Sequence, residues 1–181
     1  MSQQDQSHDL NTLLKQHIRD VPNFPEPGII FRDITTLLAD AEMFRLVIDK
    51  MKDAYSDTRV DKVVVIESRG FIFGTPIAYG LNAGVVPVRK PGKLPGETYA
   101  EEYALEYGTN TLEIHQDAIH DHEHVIIVDD LLATGGTVEA TIKLVERSGG
   151  EIAGISVLAE LVNLKGRERL GGYPIHSLVT Y

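Results

Sequence analysis

The sequence predicts an α/β fold with a central, mostly parallel sheet flanked by helices, of the doubly wound kind. From about residue 60 to the end, short apolar runs rich in β-branched residues alternate with longer helical patterns. The chain has 181 residues, of which 43% are hydrophobic and 24% are charged, enough for one well-filled core. The sequence contains no internal repeat and no low-complexity linker. We therefore expect a single domain over residues 1–181.

The N-terminal part predicts two helices with a shaped loop between them. A first helix is expected from about Leu10 to Ile18, and a second from the capping residue Asp40 to about Tyr55. The segment between them contains PNFPEPGIIFRDI, whose prolines exclude a regular helix and whose Gly28 permits an unusual backbone angle. We expect this segment to form a rigid loop.

The rest of the chain predicts five strands joined by crossover helices. The expected strands are Val63–Ile66, Val85–Val88, Val125–Val128, Ile152–Ala159 and Ile175–Val179. The clearest helices are expected over residues 70–83 and 136–148, and Gly149-Gly150 ends the second. A long aromatic and acidic insert carries turn signals at Pro95-Gly96 and Gly108-Thr109-Asn110. We expect it to form a hairpin that carries a mobile lid.

Composition and charge narrow the classes of function. Seventeen basic and twenty-seven acidic residues give a formal net charge of -10, which opposes loose association with nucleic acid. An anionic substrate must therefore be bound locally, by backbone amides and a few cations. The absence of cysteine excludes disulfides, thiolate zinc sites and a cysteine nucleophile. The N-terminal segment has neither a secretory pattern nor a membrane-spanning one, so we expect a cytoplasmic location.

The segment HVIIVDDLLATGGTVEA carries the strongest functional signal. A buried strand leads through Asp129 and Asp130 into a Thr-Gly-Gly-Thr turn that opens a helix. Glycines that allow close backbone approach, two hydroxyls and free helix N–H groups together suit a phosphate monoester. Paired carboxylates suit a ribose diol. The alternative is an ordinary strand-turn-helix with a capping acid, whereas nucleotide triphosphate and dinucleotide sites lack their GxxxxGK[ST] and GxGxxG patterns here.

The string IIVDDLLATGGT closely resembles the phosphoribosyl diphosphate signature of type I phosphoribosyltransferases. In order along the chain, FPEPGIIFRDIT, ESRGFIFG, RKPGKLPG, LEYG and ELVNLKGRERL resemble the members that act on adenine, from about Ile18 to Tyr181. The resemblance implies the type I phosphoribosyltransferase fold, with an N-terminal hood over about residues 1–35 and a flexible hairpin lid over about 95–116. It implies purine salvage, in which adenine and phosphoribosyl diphosphate give AMP and diphosphate. It also implies Mg²⁺ held by the substrate diphosphate and not directly by the protein, and a homodimer.

The resemblance further assigns roles to individual residues. Asp129 and Asp130 would hold the ribose hydroxyls, and Glu106 on the lid would manage the purine proton. The 5′-phosphate would be cradled by Ala133, Thr134, Gly135, Gly136 and Thr137. The diphosphate side would involve Glu67, Ser68, Arg69, Arg89, Lys90, Lys93 and Tyr107, with Arg69 counted among the catalytic residues and Glu67-Ser68 matching a bond that is often cis. Adenine would contact Ile30, Phe31, Arg32 and Leu161.

Several of these residues also admit a plainer interpretation. Phe31 and Leu161 could be core residues, and the basic residues could be helix-capping or solvated. Glu106 lies in an acidic run with Glu101 and Glu102, and the residues alone do not choose among the three solvated glutamates. The histidines His120, His122 and His124 share a face if extended, but we expect them to be solvated and not to bind metal.

Three other functions are less consistent with the sequence than phosphoribosyl transfer to adenine. Enzymes for 6-oxopurines typically carry an aspartate just before the Thr-Gly of the signature, where this chain has Ala133, so a hypoxanthine or xanthine enzyme is disfavoured. A nucleic-acid-binding regulator with this fold would need an added domain or a basic face, which the length and the charge oppose. A catalytically silent binding module is opposed by the full set of catalytic-type residues.

Overall fold

The first third of the chain forms three helices and a short β-ladder. The computed structural model describes residues 3–104 and 108–181. In chain order the first elements are α1 (Gln3–His17), β1 (Arg19–Pro22), β2 (Ile30–Asp33), α2 (Thr35–Ala39) and α3 (Ala41–Asp53). β1 and β2 pair antiparallel along their full length. The expected cap of α3 is confirmed, because the Asp40 carboxylate accepts hydrogen bonds from the backbone N–H groups of Glu42 and Met43.

The remaining elements build a five-stranded sheet with an attached hairpin. They are β3 (Lys62–Ile66), α4 (Gly70–Leu81), β4 (Gly84–Val88), β5 (Thr98–Ala104), β6 (Thr109–His115), β7 (His124–Leu132), α5 (Gly136–Arg147), β8 (Glu151–Glu160), a 3₁₀ turn (Val162–Leu164), α6 (Gly166–Arg169) and β9 (Ile175–Thr180). The strand order is β4-β3-β7-β8-β9, and every neighbouring pair is parallel. The predicted α/β class is confirmed, with all five predicted strands and both crossover helices present.

The two faces of the sheet are covered by different elements. Val63 and Val65 of β3 belong to one buried apolar cluster, together with residues of α1, α3 and α4. Val64 and Ile66 belong to a second cluster, together with residues of α5 and β6. This division follows from the alternation of side chains along a strand that is buried on both faces. Within residues 3–104 and 108–181, no helix is long and apolar enough to cross a membrane.

The strand order creates a crevice at the carboxyl ends of the strands. From β3 the chain passes through α4 to β4 on one side, whereas β7 lies on the other side of β3. Open parallel sheets bind ligands at such a switch point, outside the carboxyl ends of the strands. The segments that follow β3, β4 and β7 therefore meet at one place.

The long insert contains the expected hairpin. β5 and β6 pair antiparallel, from Thr98 opposite His115 to Ala104 opposite Thr109. Leu112 of β6 is 2% exposed and packs in the second apolar cluster, so the hairpin is attached to the body of the molecule. Its action as a lid, like the hood over residues 1–35, stays a prediction.

Three local expectations were wrong. The proline-rich segment is not only a loop, because its two ends pair as β1 and β2. α2 was not anticipated, and α1 begins at Gln3, well before Leu10. β7 does not stop at Val128 but continues to Leu132, because its ladder with β8 extends past the acidic pair. Burial of the strand end against β8 outweighs the low β-propensity of aspartate there.

Candidate active site

Two adjacent carboxylates lie in the last part of β7. Asp130 is only 4% exposed, and its backbone N–H donates a hydrogen bond of 2.9 Å to Oδ1 of Asp129. Burial, and then the neighbouring charge of Asp130, raise the pKa of Asp129 well above its ordinary value. Burial also raises the pKa of Asp130, while the charge of Arg69 opposes that rise. Hydrogen-bond donors that enter the site would favour the charged form of the pair.

Arg69 connects the acidic pair to the N-terminal segment. Its Nε lies 3.0 Å from Oδ2 of Asp130, and its guanidinium carbon lies 5.6 Å from the ring centroid of Phe31. The next residue, Gly70, begins α4 where a Cβ would come within 2.7 Å of the Val128 carbonyl oxygen. Glycine is required there because the helix begins against the end of β7, and this close approach brings Arg69 to the carboxylates.

Glu67 and Arg89 fix the turn after β3 to the end of β4. Arg89 donates two hydrogen bonds of 3.2 Å to the two carboxylate oxygens of Glu67, whose Oε2 also accepts from the backbone N–H of Lys90 at 3.0 Å. Hydrogen bonding from Arg89 holds the pKa of Glu67 below its ordinary value. Arg89 also donates to the carbonyl oxygen of Lys93, and the Glu67-Ser68 peptide is cis as the resemblance implied. The Arg89 guanidinium is thus held by Glu67 and by the Lys93 carbonyl oxygen, and its assignment to the diphosphate stays a prediction.

The turn between β7 and α5 has the form of an anion-binding site. Gly135 has φ +83° and precedes the first helical residue, Gly136, with no side-chain cap on the helix. The first backbone N–H groups of a helix lack partners inside it and attract negative charge. A Cβ on Gly166 of α6 would lie 2.3 Å from the carbonyl oxygen of Ala133, so α6 packs directly behind the turn. Gly166 was not among the residues predicted for the site.

A cavity of about 290 Å³ joins most of these groups. It is lined by eight predicted residues, namely Glu67, Ser68, Arg69, Lys90, Asp129, Asp130, Ala133 and Thr137, and by Tyr103, Asn110, Leu112 and Leu131, which were not predicted. A smaller hollow of about 60 Å³ is lined by residues 131–138, which include Thr134, Gly135 and Gly136. Tyr103 and Asn110 face each other across the β5–β6 ladder, so the hairpin lies over the cavity. The aromatic composition of the insert was the signal that could have indicated Tyr103.

The four residues assigned to adenine lie beside the cavity and outside its lining. Ile30 is 51% exposed, and Phe31 packs edge-to-face on Phe24 with ring centroids 5.2 Å apart. Arg32 directs its side chain to Asp20 and to the ring of Tyr181. The backbone N–H of Leu161 donates to the carbonyl oxygen of Leu132 at 2.9 Å. Phe31 is joined to the cavity through its contact with Arg69.

The predicted lid contains four of the acidic and aromatic residues considered for the site. Glu106 and Tyr107 lie outside the described residues. Glu101 is not merely solvated, as the plainer interpretation had it, because its Oε1 lies 3.0 Å from Nζ of Lys143 on α5. Glu102 is exposed.

The histidines before β7 lie at the opposite end of that strand from the acidic pair. His122 Nδ1 lies 2.8 Å from Glu151, which raises the pKa of His122, and His124 Nδ1 lies 3.4 Å from Asp61. The His122 side chain is 85% exposed and therefore solvated, as expected, whereas the His124 side chain is only 34% exposed and partly shielded from water. Within the described ranges, no group of three or more His, Asp or Glu side chains is arranged to hold a metal ion.

Comparison with known proteins gives concordant matches. Residues 33–171 match the phosphoribosyl transferase domain family. The adenine phosphoribosyltransferase of Halothermothrix orenii is 57% identical over 166 residues, which are 92% of this chain and 98% of that protein. The crystal structure of adenine phosphoribosyltransferase from Rhodothermus marinus is 52% identical with a TM-score of 0.91, covering 96% of this chain and 99% of that one. The yeast Saccharomyces cerevisiae enzyme, crystallised with an imino-altritol bisphosphate and adenine, is 39% identical with a TM-score of 0.88, covering 94% of this chain and 99% of that one.

Proposed function

The chain belongs to the phosphoribosyl transferase domain family, and from that membership we propose how its residues act on adenine and phosphoribosyl diphosphate. The protein is an adenine phosphoribosyltransferase, a pentosyltransferase of purine salvage that converts these two substrates into AMP and diphosphate. It has the type I phosphoribosyltransferase fold. The observation that supports the site assignment best is the meeting of Asp129, Asp130, Arg69 and the Thr-Gly-Gly-Thr turn at one crevice.

The 5′-phosphate would bind at the start of α5. Residues 133–137 offer backbone N–H groups at a helix N-terminus and two threonine hydroxyls, and the glycines leave room for close approach. The ribose hydroxyls would then reach Asp129 and Asp130, which lie a few residues earlier in the same segment. Burial raises the pKa of both carboxyl groups, and two sugar hydroxyls would supply hydrogen-bond donors that favour the charged forms.

Arg69 would exchange partners when the substrate binds. In the free protein it neutralises Asp130, and its side chain is 39% exposed, so it is free to turn. The incoming hydroxyls would replace it on Asp130, and the guanidinium would bind the diphosphate with Lys90, which also lines the cavity. Positive charge develops on the ribose as the diphosphate leaves, so carboxylates on one side and cations on the other stabilise the transition state.

Mg²⁺ belongs to the proposal as a companion of the substrate. The oxygen-rich cavity suits a hard cation that keeps several waters and binds mainly through phosphates. When bound to the diphosphate, it would neutralise negative charge on the leaving group. The diphosphate itself would hold it, as the sequence predicted.

The base would bind between the segment that carries Phe31 and the turn that carries Leu161. Adenine is uncharged, so stacking surfaces and directional hydrogen bonds serve it better than charge. Ile30 and Arg32 would read the edge of the base through their backbone groups, because the Arg32 side chain is engaged elsewhere. Ala133 places a methyl group at the cavity where enzymes for 6-oxopurines have a carboxylate. Glu106, with Tyr107 beside it, would manage the purine proton.

The proposed chemistry is tested by following both products. Purified protein is incubated with adenine and phosphoribosyl diphosphate, with Mg²⁺ or with EDTA, and AMP and diphosphate are measured. We expect one diphosphate per AMP, loss of the reaction in EDTA and its recovery when Mg²⁺ is added in excess. Full activity in EDTA would contradict the role of Mg²⁺. Diphosphate release without AMP would contradict transfer of the phosphoribosyl group to adenine.

We also propose that the enzyme is a homodimer. Exposed apolar side chains lie on the outer face of α4 and the adjoining edge strand β4, with Tyr79 91% exposed, Ile72 two turns earlier on the same helix and Val85 43% exposed. A second copy of the chain would cover this patch. Light scattering should give the mass of two chains, and Tyr79→Glu should shift it towards the mass of one chain. An unchanged mass would exclude this face as the interface.

The cytoplasmic location stays a prediction of the sequence, to be checked by cell fractionation.

A further inference from the structure

Tyr181 contacts the strand that carries Phe31. The guanidinium carbon of Arg32 lies 3.9 Å from the centroid of the Tyr181 ring, and the same guanidinium forms an ion pair with Asp20 on β1. The Arg32 side chain is only 19% exposed, so this cation–π contact is largely shielded from water. Adjacent residues of a strand point to opposite faces, so anchoring Arg32 on Tyr181 directs Phe31 to the other face. The contact of Phe31 with Arg69 lies on that face.

Tyr181 also brackets Leu161. Its backbone N–H donates to the carbonyl oxygen of Glu160 at 2.9 Å, and its carbonyl oxygen accepts from the N–H of Val162 at 3.0 Å. The two bonded residues stand immediately before and after Leu161. One residue therefore holds both segments that the proposed function assigns to the base.

The aromatic ring of Tyr181 makes the contact with Arg32, and its backbone makes the hydrogen bonds on either side of Leu161. The hydroxyl oxygen is buried, yet no residue in the described part of the chain offers it a hydrogen bond. A second cation, Nζ of Lys15 on α1, lies 4.8 Å from the ring centroid, but Lys15 is not on either base segment. Tyr181→Phe therefore keeps the ring and removes only the hydroxyl. The contact with Lys15 provides a control, because it can be removed without changing the contact with Arg32.

We propose that Tyr181 is a positioning residue for adenine, which sets the separation and orientation of Phe31 and Leu161. This proposal rests on the proposed function, because it takes those two residues as the walls of the base site. The substrate affected is the purine alone. In the proposed function the ribose and phosphate groups bind at the end of β7 and the start of α5. The contacts of Tyr181 with Arg32, Glu160 and Val162 lie on other segments.

The test compares KM for the two substrates in Tyr181→Leu and Tyr181→Phe. Tyr181→Leu removes the cation–π contact while keeping an apolar side chain. We expect its KM for adenine to rise roughly two- to thirtyfold, which spans the values for an exposed and for a shielded cation–π contact, with KM for phosphoribosyl diphosphate and kcat within about twofold of wild type. Tyr181→Phe should match wild type in all three. Lys15→Met removes the other cation at the ring. It should leave KM for adenine unchanged, because Lys15 does not lie on either segment assigned to the base.

A second substitution covers the case in which Tyr181→Leu does not fold. Arg32→Lys keeps the charge but loses the planar group that stacks on the ring, and it should raise KM for adenine in the same selective way. The double variant should be no worse than the more impaired single one, since both remove the same contact. An unchanged KM for adenine, or equal rises for both substrates, in the folded variants would overturn the proposal. If wild-type protein forms no AMP in the same assay, the proposed function fails instead.

Discussion

Asp129 and Asp130 show how a single pair of residues can be unfavourable in the free protein and useful in the complex. Two adjacent carboxylates, one of them 4% exposed, repel each other and have lost water, and Arg69 forms its ion pair with Asp130 while its charge also favours ionised Asp129. Buried charge of this kind is costly unless it is paired or hydrogen-bonded. Under the proposed function, a pair of ribose hydroxyls would provide further hydrogen-bond donors.

We expect Asp129→Asn and Asp130→Asn each to lower kcat/KM with little loss of folding stability. Losing one charge-assisted hydrogen bond to the sugar should remove about 1.5 to 3 kcal/mol, which corresponds to roughly ten- to more than a hundredfold in kcat/KM. Steady-state kinetics give this value, and thermal unfolding reports the stability. If kcat/KM is unchanged in both variants, the assignment of the pair to the ribose hydroxyls is wrong.

Glu106→Gln tests the residue whose role depends most on the resemblance. The change keeps size and much of the hydrogen bonding but removes basicity, so kcat should fall by about 10²- to 10⁴-fold while phosphoribosyl diphosphate still binds. Glu102→Gln is the matched control, because Glu102 is exposed on the same hairpin. Glu101 is unsuitable for that purpose, since it pairs with Lys143. Wild-type kcat in Glu106→Gln would remove the residue from the mechanism, and an equal loss in both variants would indicate disturbance of the lid.

Among individual residues, the sequence indicated candidates that are neighbours in one motif and missed supporting residues that are distant in sequence. Asp129, Asp130 and residues 133–137 form one continuous motif whose chemistry can be read from neighbouring positions. Gly166 and Tyr181 support the site through contacts with residues far away in sequence. Such partners depend on how helices and strands pack, which periodicity alone does not determine.

Among the elements, the hairpin is attached to α5, the helix that begins in the Thr-Gly-Gly-Thr turn. On α5, Lys143 pairs with Glu101 at 3.0 Å, and the guanidinium carbon of Arg147, one turn later, lies 4.3 Å from the ring centroid of Tyr99. Tyr99 and Glu101 are alternate residues of β5, so they share a face. The two contacts hold β5 along α5 and place the hairpin over the cavity.

Lys143→Met should weaken this attachment and lower kcat/KM by roughly two- to fivefold at low ionic strength, as for a partly exposed ion pair. Salt screens exposed charges, so wild type should approach the variant as the salt concentration rises. The measurement is kcat/KM for both proteins across a salt series, with Glu102→Gln as the control for loss of a charge on β5. Identical values at low salt would show that the ion pair does not position the hairpin.

Helices and strands with a long, regular hydrophobic pattern were predicted well. Short strands that exist only because they pair with each other were not. Strands buried on both faces, such as β3, appear as continuous apolar runs, and α5 shows its buried side at Val138 and Leu144. The four-residue strands β1 and β2 carry polar and proline residues, and only their mutual pairing makes them strands. The extension of β7 to Leu132 likewise comes from its neighbour β8.

For the whole molecule, a formal net charge of -10 must be reconciled with an anionic substrate. The long-range field of the protein opposes such a substrate, so binding has to rely on short-range groups. In the free site Arg69 and Arg89 are each paired with a carboxylate. Under the proposed function, the helix N–H groups and the exchange of partners at Arg69 would therefore bind the substrate.

The central claim, that this site transfers a phosphoribosyl group to adenine in preference to other purines, has one most direct test. Adenine, hypoxanthine, guanine and xanthine are each offered with phosphoribosyl diphosphate and Mg²⁺, and kcat/KM for nucleotide formation is measured for each base. Ala133 and the Ile30–Arg32 segment predict that adenine exceeds each 6-oxopurine by at least about 10²-fold, since a site built for one hydrogen-bonding pattern strongly rejects another. Turnover of hypoxanthine or guanine at a comparable or faster rate would contradict the account.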